Sequence, residues 1–372
     1  MLIAGDLVPT KSNMDLFSSA NVEALLGGEL LSIWNSADKR IFNLEVPLAD
    51  NESPIEKCGP NLIAAACTAE GIKALNPSLV TLANNHIMDQ GEKGLKSTQW
   101  ILNDKDIRFS GAGDNLAEAS KPFIICEDGL KVGIYACAEH EYSIAAVSEP
   151  GANPFDPLES LDHISKLKDE CDYVIVFYHG GKEHYRYPSP YLKKVCRKMA
   201  LKGADLVICQ HSHCVGCMEK YEGSTIVYGQ GNFIFDDCDS EFWQTSLLVS
   251  VGLSDEQNIE FIPIVKNGNG VRLPGAEDAA RIMEEFTRRS GEILEEGFVE
   301  RQYEKVASES LESYLRGFSG SGKWQSRFDR YLLKGSLLKH KYDKNRLLLI
   351  RNTIECEAHR ELIIEGLKKL AR

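Results

Sequence analysis

The chain has 372 residues, 43% hydrophobic and 26% charged, so at ~150 residues per domain it is expected to form roughly two globular domains. Its net charge of −13 argues against a partner held by phosphate neutralisation, and no nucleic-acid ligand is expected. An anionic small molecule remains compatible with this acidic shell, because a bound cation reverses the local field.

Short β-rich runs alternate with helical patterns through about residue 265. "MLIAGD" (1–6) opens as a strand, helical periodicity follows over 15–35, and "KRIFNLE" (39–45) is the next strand. A helix is expected over 62–75, then "PSLVTLANNH" (77–86), a helix over 91–104 and "IRFSGAG" (107–113). "LKVGIYACAEH" (130–140), "CDYVIVFYHGG" (171–181), "ADLVICQHSH" (204–213) and "STIVYGQGNFIF" (224–235) follow, with helices over 156–168 and 189–203. A late hairpin over 242–268 adds antiparallel pairing, so the fold class is α/β with mixed sheets. From 275 the chain becomes charged and helical, broken by a loop at 317–322. Residues 1–270 are therefore expected to form one domain and 275–372 a helical C-terminal extension.

Eleven cysteines, an odd number, lie mostly in apolar runs, as Cys137 and Cys209 do, and read as reduced core thiols. The opening residues lack a basic leader region, and no stretch approaches the ~20 apolar residues of a membrane span. A cytoplasmic protein with no membrane span is the expectation.

Polar residues recur where strands end. Asp6 follows "LIAG", Asn43 and Glu45 follow "RIF", Asn85 and His86 follow "LVTLA", His179 follows "YVIVFY", and His211 and His213 follow "DLVIC". In α/β sheets ligands gather beyond the carboxyl ends of strands, so these side chains are expected to converge. Imidazoles, carboxylates and a neutral amide together suit a divalent cation such as Mn, Zn or Fe, and their number suffices for one or two ions. Asp89 is expected either to partner His86 or to cap the helix that follows it, with the cap favoured, and Lys57, Glu183 and Arg186 are candidates for receiving an anionic substrate.

Taken in order, "GD" (5–6), "NLE" (43–45), "LANNHIMDQG" (82–91), "YHGGKEH" (178–184), "GADLVICQHSH" (203–213) and "YGQGNFIFD" (228–236) resemble the CapA family. These are bacterial proteins linked to capsule and poly-γ-glutamate synthesis, with a fold related to calcineurin-like metallophosphoesterases. The resemblance covers roughly residues 1–265. It implies a metallophosphoesterase-like αββα sandwich and a divalent-metal-dependent, phosphoesterase-type hydrolase. Glu45 would bridge two metals, with Asn85, His179 and His211 completing one site and Asp6 and His213 the other. His86 would serve the leaving group beside Asn85. The resemblance also implies an anionic or polyglutamate-like substrate and capsule synthase subunits as partners.

The sequence departs from that pattern at four places. Val8 stands where the phosphoesterase pattern has an imidazole, the bridge is Glu rather than Asp, Asn84 replaces a glycine, and Gln210 precedes His211. A mononuclear site at Glu45, Asn85, His179 and His211 is therefore the core expectation. The alternative is a weakly or non-catalytic component that binds polymer or partner through the same cleft.

Overall fold

The computed structural model describes residues 1–127, 129–235, 238–253 and 258–370. Asp236 of the last motif, the tip of the late hairpin (254–257) and the final two residues of the extension lie outside the described residues. Contacts divide the chain into Met1–Val299 and a second unit from Glu300 onward.

The first unit contains two mixed sheets. One runs in the order Gly270–Arg272, Ile259–Asn267, Thr245–Val251, Leu2–Leu7, Arg40–Leu44, Leu79–Thr81, Phe109–Ser110, with Asn232–Ile234 also paired to Leu2–Leu7. The other runs Met218–Tyr221, Ser224–Val227, Leu206–Gln210, Tyr173–His179, Leu130–Ala138, Phe123–Glu127. The central strands of each are parallel; both edges of the second sheet and the Gly270–Arg272 side of the first are antiparallel, whereas the opposite edge, Phe109–Ser110, pairs parallel with Leu79–Thr81. A small third sheet pairs Ala112–Gly113 with Gly151–Ala152.

Period-two alternation explains the layering. Ile3, Ile41 and Leu79 from the first sheet meet Ile134, Ile175, Phe177 and Leu206 from the second in one inner core. Their neighbours Leu2, Ala4, Phe42 and Val80 face outward, onto helices carrying Phe17, Trp34, Ile72 and Leu95. On the other side Val174, Val176 and Val207 pack against Ile164, Val195 and Met199. Helices thus cover both outer faces, giving four layers, αββα. Because both faces of the central strands are buried, their sequences read as continuous apolar runs.

Several elements differ from the sequence expectation. The helix over 91–104 forms as read, Gly91–Asp104, but 15–35 breaks into Met14–Ser18, Val22–Leu26 and Gly28–Ser36. Left-handed backbone at Ala20 (φ 54°) and Gly27 (φ 71°) interrupts it. Residues 62–75 yield only a 3₁₀ turn and the helix Ala69–Ala74. The run 224–235 is not one strand: Ser224–Val227 belongs to the second sheet and Asn232–Ile234 to the first. Gly229 (φ 136°) and Gly231 (φ 78°) turn the chain across between them.

The domain boundary also moves from 270–275 to 299/300. The helix Ala276–Glu292, expected in the extension, belongs to the first unit because Ile282 and Phe286 bury against Val215 and Leu247. Arg289 Nε also donates to the Gly216 carbonyl at 2.8 Å. Within the second unit, helices Lys323–Tyr331, Ser336–Lys341, Lys344–Glu355 and Glu357–Leu370 follow the turn after Phe318.

Candidate metal centre

Backbone register assembles the site. Asp6 lies opposite Asn43 on one side and Asn232 on the other, and His179 lies opposite Gln210, one residue before His211. Glycine permits the closest approach: a Cβ on Gly5 would lie 1.9 Å from the Gly231 carbonyl oxygen. Beyond the strand end, His211 (φ 82°) and His213 (φ 52°) adopt left-handed backbone, a costly conformation for non-glycine residues that clusters at functional sites.

The side chains converge as a set. Possible ligand atoms of Glu45, His179 and His211 lie within 4.8 Å of one another, as do those of Asp6, Glu45 and His213, and those of Glu183, His211 and His213. His179 Nε2 is 3.0 Å from Asn85 Oδ1 and 3.3 Å from Glu45 Oε1. The His179 and His211 rings stand 4.9 Å apart. His213 Nδ1 lies 2.8 Å from Asn232 Oδ1 and 3.7 Å from Asp6 Oδ2.

A network anchored on backbone groups orients these ligands. The His86 N–H donates to Asn84 Oδ1, so the Asn84 amide must donate to the Leu44 carbonyl and to Asn43 Oδ1. Asn43 Nδ2 then faces Asp6 and donates to Oδ1 at 2.8 Å. The second Asp6 oxygen accepts from the His211 N–H at 3.2 Å. Ser143 Oγ donates to the Asn85 carbonyl at 2.6 Å. Asn43, one of the strand-end residues expected to converge, is thus a supporting residue, and so is Asn84, which strand-end reasoning passed over although its position beside Asn85 is a usable signal.

Electrostatics favours a cation here. Glu45 is fully buried, neither of its carboxylate oxygens has a hydrogen bond, and burial followed by repulsion from Asp6 pushes its pKa up to about 8. Burial lowers the pKa of His179 against the pull of Asp6. It lowers that of His211 further, with the neighbouring His179 and His213 adding to the effect. Both imidazoles are therefore held in the neutral form that ligates metal. Buried His211 Nδ1 also lacks a hydrogen bond. Unpaired buried carboxylate oxygens facing neutral imidazoles are costly on their own and fit a divalent cation.

His86 stands beside this set with its own partner. Its Nδ1 is 2.6 Å from Asp89 Oδ2, which also accepts from the Leu62 N–H, and Lys57 Nζ pairs with Asp89 Oδ1. Asp89 is therefore a partner of His86 and not a helix cap; the N-cap position is Gln90, which makes no side-chain cap bond. Lys57 is engaged in this buried pair, its side chain only 3% exposed. Glu183 is half exposed and faces His211, Oε1 to Nε2 3.9 Å. Arg186 is turned elsewhere, with Nη1 on the Val215 carbonyl, Nη2 3.6 Å from Glu241 and the guanidinium over the Phe242 ring.

Residues 1–237 match the model of the family described as bacterial capsule synthesis protein PGA_cap. The chain is 28% identical over 261 residues to the capsule biosynthesis protein CapA of Bacillus anthracis, covering 66% of this chain and 62% of that relative. It is 31% identical over 168 residues to the PGA biosynthesis protein CapA of Bacillus subtilis (strain 168), covering 44% of each. The chain thus spans less than two thirds of the length of either relative. A crystal structure of a novel phosphatase from Mycoplasma pneumoniae superposes with a TM-score of 0.44 at 16% identity, over 72% of this chain and 93% of that one.

Proposed function

The chain belongs to the family of bacterial capsule synthesis proteins PGA_cap, and from that premise we propose that it is a divalent-metal-dependent, phosphoesterase-type hydrolase of capsule or poly-γ-glutamate biosynthesis. One observation carries the reading. The fully buried Glu45 carboxylate, without a hydrogen bond, is enclosed by ligand-type atoms of Asp6, His179, His211 and His213.

Glu45, His179, His211 and Asn85 would hold one ion, and Asp6, Glu45 and His213 a second. Bound there, a divalent ion supplies Lewis-acid polarisation of a phosphoryl or acyl-phosphate oxygen and lowers the pKa of coordinated water. Val8 supplies no ligand to the second site, since it is an apolar core residue. Glu183, facing His211 and His213, is the available replacement. Asp89 accepting from Nδ1–H fixes the His86 ring and leaves Nε2 to exchange a proton with a leaving-group oxygen. Lys57 holds Asp89 in turn. The substrate class is an anionic phosphoester or polyglutamate-like compound, and capsule synthase subunits are the partner class. All eleven cysteines are free, which supports a reducing, cytoplasmic setting.

The test is metal analysis with a phosphoester panel on the wild type, His211→Ala and Asn85→Ala. Turnover is expected to fall at least ~100-fold in His211→Ala with loss of bound metal. Turnover unchanged in both variants would remove the catalytic role. The apolar Val8 favours one second reading, a weakly or non-catalytic component that binds polymer or partner. Capture of polyglutamate by chelated protein, with no turnover on any phosphoester, would select it.

A further inference from the structure

The helix Lys323–Tyr331 in the second unit is built inside out. Asp329 is its buried side chain: Oδ2 accepts from Arg316 Nη1 at 3.0 Å, and Oδ1 accepts from the Leu337 N–H at 2.9 Å. Trp324, Phe328 and Tyr331 recur at i, i+4 and i+7, the spacing that ordinarily marks a core-facing stripe. Yet they are 83%, 52% and 74% exposed, and Leu332 continues the row at 69%. Packing within the unit thus uses the polar face and leaves the aromatic one in water. Contiguous apolar surface of this kind marks a contact site.

The surrounding charge identifies the contact. Lys323, Arg327, Arg330 and Lys334 flank the row, and the acid among them, Asp329, is already paired with Arg316. From Lys323 to Arg351 there are nine Lys and Arg against two Asp, in a chain whose net charge is −13. A second copy would set the same cations against themselves. A soluble polyanion would match the cations but leave the aromatic row uncovered. An anionic bilayer surface answers both, because Trp and Tyr rings lodge at headgroup depth while Arg and Lys meet lipid phosphates.

We propose that the face formed by Trp324, Phe328, Tyr331 and Leu332 docks on an anionic phospholipid surface, with Arg327 and Arg330 on the headgroups. The contact is peripheral. A nine-residue helix lies in the interface plane, and no helix among the described residues is long and apolar enough to cross a membrane.

The test is flotation of the full chain with vesicles of phosphatidylglycerol and phosphatidylcholine, against phosphatidylcholine alone. Three exposed-site double variants accompany it: Arg327→Glu with Arg330→Glu, Trp324→Ser with Tyr331→Ser, and Arg327→Lys with Arg330→Lys. Circular dichroism matched to the wild type qualifies each variant. The wild type is expected to float with the anionic vesicles only, and less at high salt. Charge reversal and aromatic removal should each weaken binding by roughly tenfold or more, while the lysine pair retains it. Flotation absent, equal on neutral vesicles, or unchanged in the first two variants would overturn the proposal. So would a wild-type dimer that Trp324→Ser with Tyr331→Ser dissolves, or binding of free polyglutamate with none to vesicles.

Discussion

His179 Nε2 lies 3.0 Å from Asn85 Oδ1, although 94 residues separate the two in the chain; His179 ends a strand of one sheet and Asn85 follows a strand of the other. The same nitrogen lies 3.3 Å from Glu45 Oε1. One imidazole nitrogen facing two oxygen acceptors can donate to only one of them, whereas a cation satisfies all three atoms. This relationship ties the two sheets together at the site.

Glu45→Gln should act in opposite directions with and without metal. In chelated protein it removes a buried carboxylate that has no hydrogen bond, and stability should rise by about 1–3 kcal/mol. In the presence of Mn or Zn it should lower metal affinity at least ~10-fold. Thermal unfolding with and without chelator, together with titration calorimetry, checks both. Equal destabilisation in the two conditions would count against Glu45 as a ligand.

The pH dependence of chelated protein separates Glu45 from the histidines. The folded pKa of Glu45 is raised from 4.5 to about 8, so its contribution is lost as the unfolded carboxyl ionises above 4.5 and stability falls with rising pH until about 8. His179 and His211 are shifted below 6.5, so the unfolded state binds more protons beneath that pH, and their effect rises with pH before levelling off. Between about 7 and 8 the histidine effect has levelled off and the Glu45 slope should persist, downward in the wild type and reduced in Glu45→Gln. Unfolding measured across that window reads the difference. Metal binding there should release a proton, visible as a buffer-dependent enthalpy.

Asp89 links Lys57 to His86 inside the protein, and removing one partner leaves the other charge buried. Lys57→Met and Asp89→Asn should each destabilise by about 3 kcal/mol, and the double variant by less than their sum. Chemical denaturation of the four proteins measures the coupling. With His86 no longer held, Asp89→Asn should also lower kcat by roughly 10–100-fold while metal content stays constant. Loss of metal in Asp89→Asn would instead make Asp89 part of the metal site.

Gly5→Ala tests the backbone approach that positions Asp6. The added methyl would sit 1.9 Å from the Gly231 carbonyl oxygen, so the two strands must part. Stability should fall by about 3 kcal/mol or more, and metal affinity should fall with it because Asp6 is the next residue. Gly268→Ala meets nothing within 4 Å and, despite its positive φ of 55°, should leave metal affinity unchanged. Binding isotherms of the two variants decide this.

Element by element, legibility followed burial. The runs through Val174–Phe177 and Leu206–Ile208 were readable as strands because they are buried on both faces. The edge strands Phe123–Glu127 and Met218–Tyr221 were not, because they are short, pair on one side only and, in Met218–Tyr221, carry mixed polarity. The helix over 15–35 was over-read across Gly27 and Gly28, a local break signal that periodicity masked. Asp89 departs from the favoured cap for another reason. A carboxylate two residues before a helix resembles a cap until a lysine from residue 57 is seen to take it.

Strand-end chemistry is local, and the residues alone determined it: an apolar run that stops at Asp6, Glu45, Asn85, His179 or His211 has no core use for those groups. Folding decided which of them meet. Register set Asp6 between Asn43 and Asn232, the crossing at Gly229–Gly231 brought the two sheets together, and burial stripped Glu45 of water and of hydrogen bonds. Those outcomes depend on distances between segments more than two hundred residues apart, as Asp6 and Asn232 are, which no local pattern encodes. They also turned Arg186 away from the centre and left Trp324, Phe328 and Tyr331 in water, where helical periodicity alone would have buried them.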